Sequence, residues 1–275
     1  EFSMVGEIEG KGLSINEISV RLKGHISKHQ YKGYTYSNID INGELRDKQF
    51  DGYLSVDDPN LKLVFKGLAE LSGEYTFKFN ADVTYADFFK LNLFTRDEKS
   101  ILKGEIDIDL KGNNLDNVEG MLSFKKASYS NQNDDYYFKD FTIISENKDS
   151  IREMSVNSTD IIDGYVSGNF KFIELKKLGM NSLGSLFVNY KKEKVDEGQF
   201  LDFKFNIHNK IIEVFFPDFK LGPNSLIRGS VDSDKDIFKL TVKSPNIEAF
   251  DIKIDRINLQ VDNKNPLFNT LLSID

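Results

Sequence analysis

Cysteine and tryptophan are absent from this 275-residue chain, and histidine occurs only three times. Without cysteine, disulfides, thiolate catalysis and cysteine-based zinc sites are excluded. No run of about 18 apolar residues occurs, so the sequence predicts no transmembrane helix. The formal net charge is −8. This acidic balance argues against a nucleic-acid partner and against binding to an anionic membrane by net charge alone.

What the chain has in abundance is phenylalanine, with 23 copies, placed in stretches where apolar and polar residues alternate. Residues 75–84, 104–111 and 201–208 each put apolar side chains on one side and polar or charged side chains on the other. A period of two residues is typical of a β-strand with one dry face. We count 16 to 20 such strands, so the sequence predicts an all-β protein.

Turn residues separate these strands, because proline presets φ and Asp, Asn and Gly accept the backbone conformations of reversals. The four clearest turns are predicted at Asp57–Asn60, Gly112–Asn114, Asn131–Asp135 and Gly222–Asn224.

Three features depart from simple alternation. Residues 85–94 could form a short helix, and residues 173–190 carry leucines at roughly helical spacing. Near the C-terminus the alternation slips by one residue at Arg256, which indicates a bulge or a tight bend.

One-sided strands can pack as two sheets in a sandwich, close into a barrel, or curl into an open trough whose dry side lines a groove. Periodicity does not separate these three outcomes.

Three passages of the sequence resemble the TamB branch of the AsmA-like proteins, in the form found in Bacteroidetes. They are YSNIDINGELRDKQFDGYLSVDDPNLKLVFKG at 36–67, LKGNNLDNVEGMLSFKKASYSNQNDDYYFKDFTIIS at 110–145, and REMSVNSTDIIDGYVSGNFKFIELKKLGMNSLGSLFVNY at 152–190. Together they cover 107 of the 275 residues, in the order and spacing of the family. The family's N-terminal membrane anchor and its C-terminal partner-binding domain have no counterpart in this sequence.

The resemblance implies an elongated, curled, antiparallel-rich sheet, the β-taco, with an apolar inner groove and one or two short helices. It implies a non-enzymatic periplasmic conduit that carries phospholipids, through their acyl chains, between the inner and outer membranes of a Gram-negative envelope. The alternative role in the family is a scaffold for outer-membrane protein assembly with an Omp85-type barrel partner. We interpret residues 1–4 as a cloning remnant and residues 5–275 as one segment of a longer protein anchored in the inner membrane.

Under this interpretation the apolar residues of the alternating strands line the groove. The predicted lining residues are Ile39, Ile41, Leu45, Phe50, Leu54, Val56, Leu61, Leu63, Phe65, Tyr75, Phe77, Phe79, Val83, Ile106, Ile108, Leu110, Val166, Phe170, Phe172, Leu201, Phe203, Phe205, Ile207, Phe238, Leu240, Val242, Phe250, Ile252 and Ile254. In any other all-β protein the same residues would be ordinary core.

Motifs for catalysis or metal binding give little support to other functions. His25 and His29 have the i, i+4 spacing of a helical metal site, but their segment has the pattern of a strand, which would hold them about 13 Å apart. The run Asp232, Asp234, Asp236 begins like a calcium loop but lacks its later glycine and glutamate, so it predicts a hairpin turn. No catalytic residues, metal or cofactor are predicted, and a carbohydrate-binding β-sandwich is disfavoured by the lack of tryptophan.

Overall fold

The computed structural model describes residues 2–12, 19–187, 189–209, 214, 219–249, 252–267 and 269–274. All 17 strands within these residues are assigned to one antiparallel sheet that does not close into a barrel. The predicted all-β fold class, the predicted number of strands and the predicted short helix are therefore confirmed.

The strands, numbered in chain order, have the following bounds: β1 Phe2–Lys11, β2 Ser19–Tyr31, β3 Tyr34–Arg46, β4 Gln49–Asp58, β5 Leu61–Glu70, β6 Thr76–Asp87, β7 Ser100–Lys111, β8 Glu119–Asn131, β9 Asp135–Lys148, β10 Ile151–Asn157, β11 Ile162–Asn169, β12 Phe200–Ile207, β13 Phe219–Leu221, β14 Ser225–Asp232, β15 Ile237–Ala249, β16 Ile252–Asp262 and β17 Thr270–Ile274.

Between β11 and β12 lie a 3₁₀ turn, Phe172–Glu174, and the helix α1, Leu175–Gly184. The helix predicted within residues 173–190 is therefore present. The helix considered for residues 85–94 is absent, because β6 continues to Asp87 and residues 88–93 form turns. Among the described residues, no helix is long and apolar enough to cross a bilayer.

By its internal contacts the chain divides into two units. Unit 1 comprises Glu1–Asn113 and Val118–Thr142, and unit 2 comprises Asn114–Asn117 and Ile143–Asp275. In unit 1, strands β1 to β8 are each in antiparallel register with their neighbours along the chain. In unit 2, β12 pairs with β14 and β13 pairs with β15, so that part of the ladder skips a strand. The segment interpreted as a cloning remnant contributes Phe2, Ser3 and Met4 to β1.

In β3 and in β16 the phase of alternation changes at a single residue with left-handed backbone. In β3, Asn38 has φ of 51°, and Tyr36 and Ile39, which are three positions apart across it, belong to the same buried cluster. In β16, Arg256 has φ of 50°, and the pairing with β15 keeps one register on both sides of it. The slip predicted at Arg256 is thus confirmed as a left-handed kink without an inserted residue.

Candidate functional site

The alternating strands of unit 1 place their apolar residues on one side of the sheet in four lateral rows. Residues directly opposite each other on neighbouring antiparallel strands project to the same side. The rows, read across the sheet, are Ile26–Ile39–Val56–Leu63–Val83; Gly24–Ile41–Leu54–Phe65–Ala81–Ile106–Phe124; Leu22–Gly43–Gly52–Gly67–Phe79–Ile108–Leu122; and Val20–Leu45–Phe50–Ala69–Phe77–Leu110–Gly120. We call these four rows the unit 1 apolar face.

The first of these rows is closed by the protein itself, and Ile41 and Leu54 of the second row pack against the same buried cluster. Leu91, in the turn after β6, is fully buried and belongs to a cluster with Ile26, Ile39 and Val56. Phe88 packs against the same cluster. In the other three rows the large side chains are half-buried, so part of each stays in contact with solvent. The other three rows of the unit 1 apolar face are therefore partly accessible to another molecule.

The unit 2 apolar face has the same construction. Its rows are Ile162–Ile207–Ser225; Gly164–Phe205–Ile227–Val242–Leu259–Leu272; Val166–Phe203–Gly229–Leu240–Val261–Thr270; and Arg152–Gly168–Leu201–Val231–Phe238.

Helix α1 covers part of the unit 2 apolar face. Leu178 is almost fully buried in one cluster with Leu201, Val231 and Phe238, which form the last row. Phe203 and Leu240 of the neighbouring row pack against this cluster. The row that contains Phe205, Ile227 and Val242 has no residue buried in the cluster, and these three side chains are half-buried. The helix thus leaves one wide row of the face partly open.

Glycines alternate with rings on both faces. In unit 1, Gly43 and Gly52 are directly opposite each other, and a Cβ at Gly43 would lie 2.9 Å from Cε2 of Phe50. In unit 2, a Cβ at Gly229 would lie 2.6 Å from Cζ of Phe203. Each phenyl ring therefore packs over a neighbouring glycine. The ring occupies the space of the missing glycine side chain and covers the backbone there. These apolar faces are lined by the flat sides of rings as well as by aliphatic tips.

A buried arginine lies at the edge of the unit 2 apolar face. Arg152 is 6% exposed, and its guanidinium lies 5.1 Å from the ring centroids of both Phe170 and Phe172. It donates hydrogen bonds to the backbone oxygens of Asp116 and Phe170, and Asp116 also accepts the backbone N–H of Phe172 at 2.7 Å. Its Nε is buried and makes no hydrogen bond within the described part of the chain. Arg152 thus fixes the segment from which α1 begins.

The opposite side of the unit 1 sheet is charged, and its charges pair across strands. Arg21 bonds Glu44 at 3.1 Å, and His25 Nδ1 lies 2.9 Å from Asp40 Oδ1. A hydrogen bond from Lys125 is the main cause that lowers the pKa of the Asp107 carboxyl. This side is a solvated surface, as the alternation predicts.

The two sequence motifs with the spacing of metal sites form a strand and a hairpin turn. His25 and His29 both lie on β2, as expected for a strand. The Asp232 carboxylate accepts the backbone N–H groups of Asp234 and Lys235 in the turn between β14 and β15, which confirms the predicted hairpin turn. Within the residues that the structure describes, no group of three or more His, Cys, Asp or Glu side chains could hold a metal.

The structure brings together most of the predicted lining residues, and 22 of the 29 lie in the rows given above. Leu61 packs against the cluster around Leu91. Phe250 lies outside the described residues. The remaining five residues depart from the simple alternating pattern; they are Tyr75, Phe170, Phe172, Ile252 and Ile254.

Tyr75 precedes β6 and is exposed, because β6 begins at Thr76. Phe170 and Phe172 follow the end of β11 and pack around Arg152, so they do not continue the strand alternation. Ile252 and Ile254 lie before the kink at Arg256, where the phase of alternation differs, and Ile252 is largely exposed.

The sequence pattern did not predict the burial of two residues at the apolar faces, Leu91 and Arg152. Leu91 lies in the segment YADFFKLNLF, which lacks alternation and was interpreted as a possible short helix; its density of aromatic residues is the one signal that could have indicated burial. Arg152 belongs to an alternating strand in a position that normally predicts an apolar residue, next to Met154 and Val156.

A scan of the chain against protein-family models, a search of curated proteins and a search of solved structures found no match.

Proposed function

We propose that the chain is a non-enzymatic conduit for phospholipids, whose acyl chains lie on the apolar faces of the sheet. The observation that carries this proposal is that three rows of the unit 1 apolar face are apolar, continuous across strands and partly exposed. A soluble protein rarely leaves such a wide apolar surface open unless a partner or ligand covers it.

The energetics favour an acyl chain as the occupant. Each CH₂ group that leaves water gains about 0.8 kcal/mol, and the gain does not depend on direction. The open rows run from β2 to β8, with six spacings of about 4.8 Å each, so they extend about 29 Å across the sheet. That is roughly twice the ~15 Å thickness of one leaflet's hydrocarbon layer. A chain can therefore shift along a row without losing contact.

The absence of a fixed polar anchor in the open rows of unit 1 supports transport more than tight binding. The rows next to the Leu91 cluster contain glycine, aliphatic and phenylalanine residues, and the charged side chains project from the opposite side. A headgroup would remain in water while the chain moves. Under this proposal the protein works in the periplasm as part of an envelope-spanning molecule, as the family resemblance implies.

Photo-crosslinking from neighbouring positions tests the proposal. A photoreactive phenylalanine analogue at Phe65, on the unit 1 apolar face, should form phospholipid adducts in cells, whereas the same analogue at Lys66, on the opposite side, should not. Phe205 and Lys204 form the matched pair in unit 2. Equal labelling at Phe65 and Lys66, or no lipid extracted from the natively purified protein, would contradict the proposal.

A second candidate function is a scaffold for the assembly of outer-membrane proteins. It is favoured by β1, whose Val5 and Ile8 side chains are largely exposed and could receive an extended segment by strand addition. Crosslinking from Val5 separates the two functions, because the scaffold predicts polypeptide adducts at this strand and the conduit predicts lipid adducts at Phe65.

A further inference from the structure

The helix α1 and its flanking turns carry apolar side chains that the sheet does not cover. Ile173 is 83% exposed, Phe187 is 70% exposed, and Met180 and Leu183 are each nearly half exposed. By contrast, Leu178 of the same helix is buried against the sheet. The segment therefore has two apolar sides, and only one of them is used inside unit 2.

The geometry of the helix places two of these exposed residues, Met180 and Leu183, on one face, and Ile173 and Phe187 flank the helix at its two ends. Lys176, Met180 and Leu183 have i, i+4 and i+7 spacing, which puts them on one face of a helix with 3.6 residues per turn. Leu175, Leu178 and Ser182 fall on the opposite face, toward the sheet.

The charge of this segment is opposite to that of the whole chain. Residues 171–194 contain six lysines and two glutamates, a net charge of +4, whereas the chain has a net charge of −8. Lys171 and Lys192 form ion pairs with Asp196 and Asp236. The other four lysines are exposed and form no salt bridge among the described residues; they are Lys176, Lys177, Lys191 and Lys194.

We propose that α1 and its flanks are a docking surface for an anionic phospholipid bilayer. We name Ile173, Met180, Leu183 and Phe187, together with the four unpaired lysines, the α1 patch. Exposed aliphatic and aromatic side chains next to lysines are the pattern of segments that lie in the headgroup region, where apolar tips enter the acyl boundary and lysines meet lipid phosphates. The net negative charge of the chain does not prevent this, because charges farther than about 8 Å are largely screened at physiological salt.

Bilayer docking by the α1 patch does not require acyl chains to bind on the apolar faces, because the α1 patch points away from the sheet. A conduit needs access to a membrane, and the α1 patch would hold unit 2 at a bilayer surface. Either proposal can hold without the other, since one concerns bilayer binding and the other concerns lipid bound to purified protein.

Vesicle co-sedimentation tests the α1 patch. The full chain should bind vesicles of phosphatidylcholine that contain phosphatidylglycerol, and it should bind pure phosphatidylcholine vesicles more weakly. The double variant Ile173→Ser/Phe187→Ser should reduce the affinity for anionic vesicles about tenfold or more, since the two most exposed of the four apolar side chains are lost. The double variant Lys176→Gln/Lys177→Gln should reduce binding and weaken its dependence on salt.

The matched control is Leu267→Ser, which removes an equally exposed apolar side chain outside the α1 patch and should leave binding unchanged. Thermal unfolding of each variant verifies that the fold is kept, which is expected because these side chains are exposed. The proposal is overturned if the full chain ignores anionic vesicles, or if Ile173→Ser/Phe187→Ser binds as the parent does. It is also overturned if that variant instead converts a dimer to a monomer in sedimentation without any vesicle binding.

Discussion

The ring of Phe203 lies over Gly229, the residue directly opposite it on the next strand. A Cβ at Gly229 would approach Cζ of this ring to 2.6 Å and the carbonyl oxygen of Lys239 to 2.5 Å. The glycine is therefore required by space, because the phenyl ring occupies the position of its missing side chain.

Gly229→Ala should lower the free energy of unfolding by about 1–3 kcal/mol, because the ring and the neighbouring backbone must both shift. Gly179→Ala is the matched control, since a Cβ at this helical glycine meets nothing within 4 Å. It should raise stability by about 0.5–1 kcal/mol through helix propensity. Urea unfolding measures both, and a neutral Gly229→Ala would show that the ring is not held in place.

Leu178→Ala should destabilise the protein by about 2–5 kcal/mol, because it leaves a cavity where α1 meets the unit 2 apolar face. Leu183→Ala, on the exposed side of the same helix, should cost less than about 1 kcal/mol. If lipids bind this face, Leu178→Ala should also retain more phospholipid on purification, because the helix covers the face less well. Similar losses of stability in the two variants would mean that α1 does not pack as described.

Asp58 should make the stability of the protein depend on acidity. Burial raises the pKa of this carboxyl, but hydrogen bonds from Tyr34, Asn60 and Ser37 outweigh it, so the pKa lies below its ordinary 3.8. A carboxyl with a lowered pKa in the folded state stabilises the protein above the ordinary value, and this contribution is lost as the pH falls through the folded-state pKa.

Asp58→Asn should therefore cost about 1–3 kcal/mol at pH 7, and the difference from the parent should shrink in acid. Asp51→Asn, an exposed change on the same strand, should stay within about 0.5 kcal/mol of the parent at both pH values. Unfolding in urea at pH 7 and near pH 3 checks this. A constant difference between Asp58→Asn and the parent would refute the role of its ionisation.

Arg152→Lys should destabilise unit 2 by about 1–3 kcal/mol although the charge is kept. A lysine ammonium cannot stack as a plane between Phe170 and Phe172 while bonding the backbone oxygens of Asp116 and Phe170. Arg228→Lys, at an exposed position, should change stability by less than about 0.5 kcal/mol. Thermal unfolding followed by circular dichroism distinguishes the two, and equal midpoints would contradict this account of Arg152.

The parts of the fold that follow from local rules could be predicted from the sequence. Alternation identified the faces of strands such as β6 and β12, and turn residues identified the reversals at Asp57–Asn60 and Asp232–Asp236. The kink at Arg256 was visible because alternation resumes in the opposite phase after it. These features depend on residues within a few positions of each other.

The elements that close the faces could not be predicted, because they depend on contacts between distant residues. Leu91 becomes buried only when β2, β3 and β4 have assembled the row that it covers. Arg152 is tolerated on an apolar face only because Phe170, Phe172 and Asp116 converge on it from later and earlier parts of the chain. Neither arrangement leaves a periodic signal.

The pairing of β1 to β8 with their neighbours along the chain has a consequence for evolution. Because β2, β3, β4 and β5 are joined by two-residue reversals, a duplicated hairpin could be inserted between two of them without altering the rest of the ladder. Each insertion would widen the sheet by about 9.6 Å and extend every lateral row by two positions. A sheet built on this plan can be lengthened by whole hairpins, with no new fold required.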